Sequence, residues 1–208
     1  MTKTGYKLTD EKMQTYHGYQ WELHEWKETS GKGELCGCGW LHYYSDPLLA
    51  AFLNPIHANF DNPRLFEIEV AADAKILEDH GLKLGCTKMR LTKELVMPAV
   101  TTEQRIKFGI LCALEVCKDA KFVQWANRWL DGTDRSEKAA DAAAAAAVAR
   151  AADADAAARA AANAAARAAA DAAWAAAAWA AAAARAAAAR AAEAKNIDLI
   201  AIAKKAME

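Results

Sequence analysis

The chain has 208 residues, 54% of them hydrophobic, with 26 basic and 27 acidic side chains. That length supports a core without help from a disulfide or a metal, and the near-cancelling charge excludes a protein-wide field of the kind that holds long nucleic acid or an anionic membrane. Five cysteines, Cys36, Cys38, Cys86, Cys112 and Cys117, are odd in number and not spaced as a disulfide framework, and the N-terminus MTKTGYKLTD has no apolar signal core, so the sequence predicts a soluble, cytoplasmic protein.

All four prolines and most of the ten glycines precede residue 100. The composition therefore predicts α+β: a small mixed N-terminal domain over residues 1–100, followed by an all-α alanine-rich helical bundle over 101–208. Within GYKLTDEKMQTYHGYQWELHEWKE the alternation places Tyr19, Trp21 and Leu23 on one side of a strand, and SGKGE supplies a turn. Leu35 to Tyr44 (LCGCGWLHYY) reads as a bulged or closely approached strand, because its glycines argue against a helix. Ser45-Asp46-Pro47 is a helix start, with proline in the first turn and PLLAAFL as the apolar face, and that helix is expected to end near Asn54-Pro55. After the turn at Asn62-Pro63, RLFEIEV alternates as a strand with Leu65, Glu67 and Glu69 opposite Phe66, Ile68 and Val70, and residues 82–97 predict one or two more strands.

From Thr102 the period becomes helical, through Ile106, Ile110, Leu111 and Leu114, and again through Phe122, Trp125, Ala126 and Trp129, with Asp131-Gly132 closing the second helix. Asp134-Arg-Ser-Glu137 has the form of a capping box. It opens a tract from Ala139 to Ala194 in which 42 of 56 residues are alanine and none is glycine or proline. As one helix this tract would be a rod of roughly 84 Å with little to bury. Alanine faces allow close approach of helix axes, so the tract is expected to fold back as short antiparallel helices capped at Asp153, Asn163, Asp171 and Asn196. Its exposed methyl faces also predict a homo-oligomer.

Chemistry in the tract falls to the residues that interrupt the alanine. Arg159 and Arg167 lie on one ridge of four-residue spacing, and Arg185 and Arg190 follow Trp174 and Trp179. Guanidinium groups grip phosphate and rings stack on bases, so these six residues, with Trp40 and His42 in the N-terminal domain as the other location, are the candidate ligand-binding set for a small nucleotide. Cys36-x-Cys38 with His42 and His57 is the nearest approach to a metal cluster, but one intervening residue is not the spacing of structural zinc, so no metal and no cofactor is predicted. GxxxxGK[ST], HExxH and GxSxG do not occur, which leaves phosphate-loop, zincin and serine-hydrolase chemistry without an anchor.

The segments FGILCALEVC and FVQWANRWLDGTDRS, followed by alternating alanine and arginine, resemble alanine-rich all-helical immunity-protein-like domains of bacterial and phage genomes. GYKLTDEKMQTYHGYQWEL, GELCGCGWLHYYSDPLLAAF and RLFEIEV resemble an uncharacterised phage-associated domain that precedes such tails. The resemblance implies a phage-encoded, non-enzymatic binding protein countering host defence, with a nucleotide messenger or a host defence protein as partner. In the second case it would act as a protein-protein inhibitor or immunity-like module. A weaker likeness in element order, an aromatic run, a helix and a strand bearing Glu67 and Glu69, is to ADP-ribosyltransferase-like folds, and implies an enzyme instead.

Overall fold

A computed structural model describes residues 2–79, 81–116, 120–136, 139 and 197–208 of the chain. It is mixed α+β and divides into two compact units, Met1–Ala99 and Val100–Glu208. Among the described residues no helix is long and apolar enough to cross a membrane.

Among its described residues the first unit holds nine strands and one α-helix: β1 (Lys3–Thr9), β2 (Gln14–Thr15), β3 (Tyr19–Gln20), β4 (Lys27–Glu28), β5 (Leu41–Tyr43), α1 (Pro47–His57), β6 (Arg64–Val70), β7 (Ile76–Asp79), β8 (Lys83–Cys86) and β9 (Lys88–Leu95). Four strands form one antiparallel sheet in the order β1-β6-β9-β4, three form another in the order β5-β8-β7, and β2 pairs with β3. The predicted alternation of RLFEIEV is present in β6. Phe66, Ile68 and Val70 enter a core with Trp21, Leu41, Tyr43, Cys86, Met89 and Leu91, all 5% exposed or less. Leu65 and its register partner Leu8 lie on the opposite face and are buried as well. Helix α1 packs against β1 on that side, so only part of the second face is open. Glycine is required at position 5 because the Tyr43 ring crosses β1 where a Cβ would stand.

Several boundaries differ from the sequence reading, each for a local reason. Leu35–Tyr44 is a strand only over Leu41–Tyr43, since residues 35–39 are used in turns closed by Gly37 N–H to Glu34 O at 2.9 Å and Gly31 N–H to Gly39 O at 2.9 Å. Residues 19–23 are not one long strand: Trp21 is buried while Tyr19 and Leu23 stay exposed. Helix α1 starts as expected, with Asp46 Oδ1 accepting from Leu48 and Leu49 N–H, but runs through Pro55 to His57. Asn59, at φ 52°, ends it with its N–H on Asn54 O at 2.6 Å, a left-handed stop that asparagine tolerates. The side chain of Asn54 then clamps the following turn by bonding both the carbonyl and the N–H of Phe60.

In the second unit, α2 (Thr102–Val116) packs against α3 (Ala120–Leu130) and α4 (Leu199–Met207). The cap of α2 is Thr101 rather than Thr102. Its hydroxyl accepts from Gln104 N–H at 3.2 Å while the Gln104 amide oxygen accepts from Thr101 N–H at 2.9 Å, a reciprocal capping box. Phe122, Trp125, Ala126 and Trp129 form the buried stripe of α3, and Gly132, at φ 78°, follows its end. In the sequence Asp134 to Glu137, Ser136 takes the capping role, accepting from Ala139 N–H at 3.3 Å. Asp198 caps α4 by accepting from Ala201 N–H. The expected caps Asp153, Asn163, Asp171 and Asn196 lie outside the described residues.

Candidate functional site

Antiparallel register partners share a face of a sheet, and the four-stranded sheet gathers its polar and aromatic side chains by this rule. Tyr44 bridges Tyr6 through paired bonds of 2.8 and 2.7 Å, Tyr6 pairs with Glu67, and Glu69 pairs with Arg90. These residues therefore lie on the face away from the Phe66–Ile68–Val70 core. A bulge between Glu67 and Ile68 frees Thr92, whose hydroxyl donates to Glu67 O at 3.1 Å and lies 3.4 Å from Glu67 Oε1.

At the β4 end of this face the half-exposed Trp26 ring lies under the Arg90 guanidinium, 4.7 Å from carbon to ring centroid. Glu69 holds that guanidinium by two contacts, 2.8 Å from Nε and 2.6 Å from Nη2. Ring, cation and carboxylate fix one another. At the α1 end, Tyr44 Oη and His57 Nδ1 are 3.1 Å apart with their rings stacked, and burial pushes the Tyr44 phenol well above its ordinary range. A phenol so held stays protonated at neutral pH and is poorly suited to act as a base.

The opposite face of β1 holds a buried cation. Lys7, next to Phe66 in the register, is 6% exposed, donates from Nζ to His42 O at 2.8 Å and lies 4.5 Å from the Trp21 ring centroid. Burial drives its amine down to about 7, with Cys86 opposing the shift, while burial pushes the Cys86 thiol up to about 11.

Of the eight residues proposed from sequence, Trp40 and His42 are described, and both are engaged with the loop over residues 31–39. Trp40 Nε1 donates to Gly33 O at 2.9 Å, and His42 Nε2 bonds Leu35 O. Leu35 and Trp40 also lie over Gly85 of β8. Burial lowers the His42 pKa, and the Leu35 bond partly counters it. Arg159, Arg167, Trp174, Trp179, Arg185 and Arg190 lie outside the described residues. Glu67 and Glu69 share that face of the four-stranded sheet with Tyr6 and the buried Tyr44, whereas His42 pairs with Gly85 in the other sheet and is not brought to them. Trp26, Arg90 and Tyr6 are not among those eight. Their signal is pairwise and appears only once strand register is known. Among the described residues no three His, Cys, Asp or Glu side chains converge as a metal-ligand set.

Residues 3–103, nearly the whole first unit and the start of α2, match the family model of a domain of unknown function, DUF7666. No curated protein matches the chain, and no solved structure does.

Proposed function

We propose that the protein is a non-enzymatic binding protein, and that its first unit takes a small nucleotide on the open face of the four-stranded sheet. The observation that carries this reading is the Trp26–Arg90–Glu69 arrangement, a partly exposed aromatic plane fixed in place by a guanidinium that is itself fixed by a carboxylate. A ring already immobilised loses little rotamer freedom on binding. Stacking a base on it contributes about 1–3 kcal/mol, the Glu67 and Glu69 carboxylates accept from ribose hydroxyls, and Arg90 supplies charge for a phosphate. In this reading the alanine-rich half folds as an all-α bundle of short close-packed helices. Its Arg159, Arg167, Arg185 and Arg190, with Trp174 and Trp179, add a second surface of the same chemistry. A phage-encoded protein of this kind would counter host defence by lowering the free concentration of a nucleotide signal.

Tyr6, Tyr44 and Glu67 on one face favour a second reading, an ADP-ribosyltransferase-like enzyme. Incubation with NAD and with cyclic nucleotides, then heat denaturation and analysis of the released material, separates the two. Intact nucleotide supports sequestration, altered nucleotide supports the enzyme, and no bound nucleotide overturns both in favour of a protein partner. By calorimetry, Trp26→Ala is expected to weaken binding by about 1–3 kcal/mol, roughly five- to 150-fold. Unchanged affinity in Trp26→Ala and Arg90→Ala would move the site to the alanine-rich half, where Arg159→Ala and Arg167→Ala test it.

A further inference from the structure

The loop stapled by Trp40 and His42 presents two thiols that the binding reading does not use. Cys36 and Cys38 are both exposed, separated only by Gly37 in a turn, whereas Cys86 and Cys112 are buried. Residues two apart in sequence are at most about 7 Å from Cα to Cα, and a bent turn brings them into the 4.4–6.8 Å that a disulfide spans. The pair is not symmetric. Lys83 Nζ, from β8, lies 3.1 Å from Cys36 Sγ, so a cation stands against one sulfur. The attacking species in thiol chemistry is the thiolate, and the Lys83 ammonium stands beside the sulfur that would carry that charge in the attack.

We propose that Cys36 and Cys38 form a peroxide-responsive thiol pair in which Cys36 attacks and Cys38 resolves. The Cys36 thiolate displaces hydroxide from hydrogen peroxide; with one proton taken up, the products are Cys36 sulfenic acid and water. The Cys38 sulfur then attacks the Cys36 sulfur, forming the S–S bond and releasing a second water. One peroxide is reduced and two thiols are oxidised. The product closes a small ring inside the turn that carries Leu35, whose carbonyl bonds His42 and whose side chain lies over Gly85. Oxidation thus acts on the loop covering the three-stranded sheet.

The test is peptide-mapped mass spectrometry of the full chain after brief exposure to hydrogen peroxide, with free thiols alkylated and sulfenic acid trapped by dimedone. In the wild type, the peptide holding Cys36 and Cys38 is expected to lose two hydrogens and regain them with dithiothreitol. In Cys38→Ser, dimedone is expected on Cys36, and in Cys36→Ser, Cys38 is expected to stay reduced. Lys83→Gln is expected to slow oxidation about tenfold, with Lys83→Arg restoring most of the rate. Buried Cys86 and Cys112 serve as unreactive internal standards. The proposal is overturned if Cys36 and Cys38 stay fully alkylatable under conditions that oxidise free cysteine. It is equally overturned if dimedone labels Cys38 in preference to Cys36, or if Lys83→Gln leaves the rate unchanged.

Discussion

Lys7 is an ammonium-bearing side chain placed where an apolar one would pack, and its ionisation couples to folding. The unfolded lysine keeps its proton to its ordinary value of 10.5, while the folded one releases it near 7. Between those values the unfolded state binds more protons, so stability rises with pH, by up to about 1.4 kcal/mol per unit. Above pH 9 the sign reverses for Cys86, which in the folded state holds its proton to about 11. Urea denaturation is therefore expected to show stability increasing by about 2 kcal/mol from pH 7 to pH 9 and declining above it, because the Cys86 and Cys112 thiols, both pushed up by burial, keep their protons in the folded state and together outweigh Lys7. Lys7→Met should abolish the rise and be the more stable protein at pH 7, and a wild-type stability that is flat across this window would show that the folded amine titrates normally. At Gly5 the constraint is steric. Gly5→Ala forces the Tyr43 ring aside, and the expected cost in the same measurement is about 1–3 kcal/mol.

At the scale of elements, sequence signals were legible where the controlling contact is local. Asp46-Pro47 marked the start of α1 because the cap carboxylate reaches N–H groups only two and three residues on. RLFEIEV marked β6 through period-2 alternation. The strands β1 and β7 were not legible. In β1, Lys7, Leu8 and Thr9 are all buried, because one face meets the Trp21 core and the other meets α1, and a strand covered on both sides loses the alternation that identifies it. Helix α2 shows the same division on a smaller scale: its periodicity was plain, but its boundary depended on which threonine pairs with a glutamine three residues on. Thr101→Ala, which removes one half of that capping box, is expected to cost about 1 kcal/mol in thermal unfolding, with Thr101→Ser close to wild type.

The two units of the whole molecule each have their own buried residues. The first closes its core with its own strands, from Trp21 to Leu91, so residues 1–99 expressed alone are expected to unfold cooperatively in urea and to keep the near-ultraviolet circular dichroism of packed aromatic rings. A broad, non-cooperative transition in that fragment would show that its core depends on the rest of the chain. The open sheet face belongs to this scale too. It joins Trp26, Glu69 and Arg90, residues separated by up to sixty-four positions, and nothing in their immediate neighbourhoods announces the association.

The sequence by itself determined what depends on near neighbours: the mixed character of the first unit, the capped start of α1, the alternation of β6 and the buried stripe of α3. These follow from propensity, capping and periodicity, which act over a few residues. Tertiary structure alone decided that Lys7 turns into the core, that Trp40 and His42 hold a loop, and that Trp26, Arg90 and Glu69 meet on an open face. Strand register makes those choices. A period of two says that a strand has two faces, but only the pairing of distant strands determines which face is covered and which side chains stand beside each other on the one that is not.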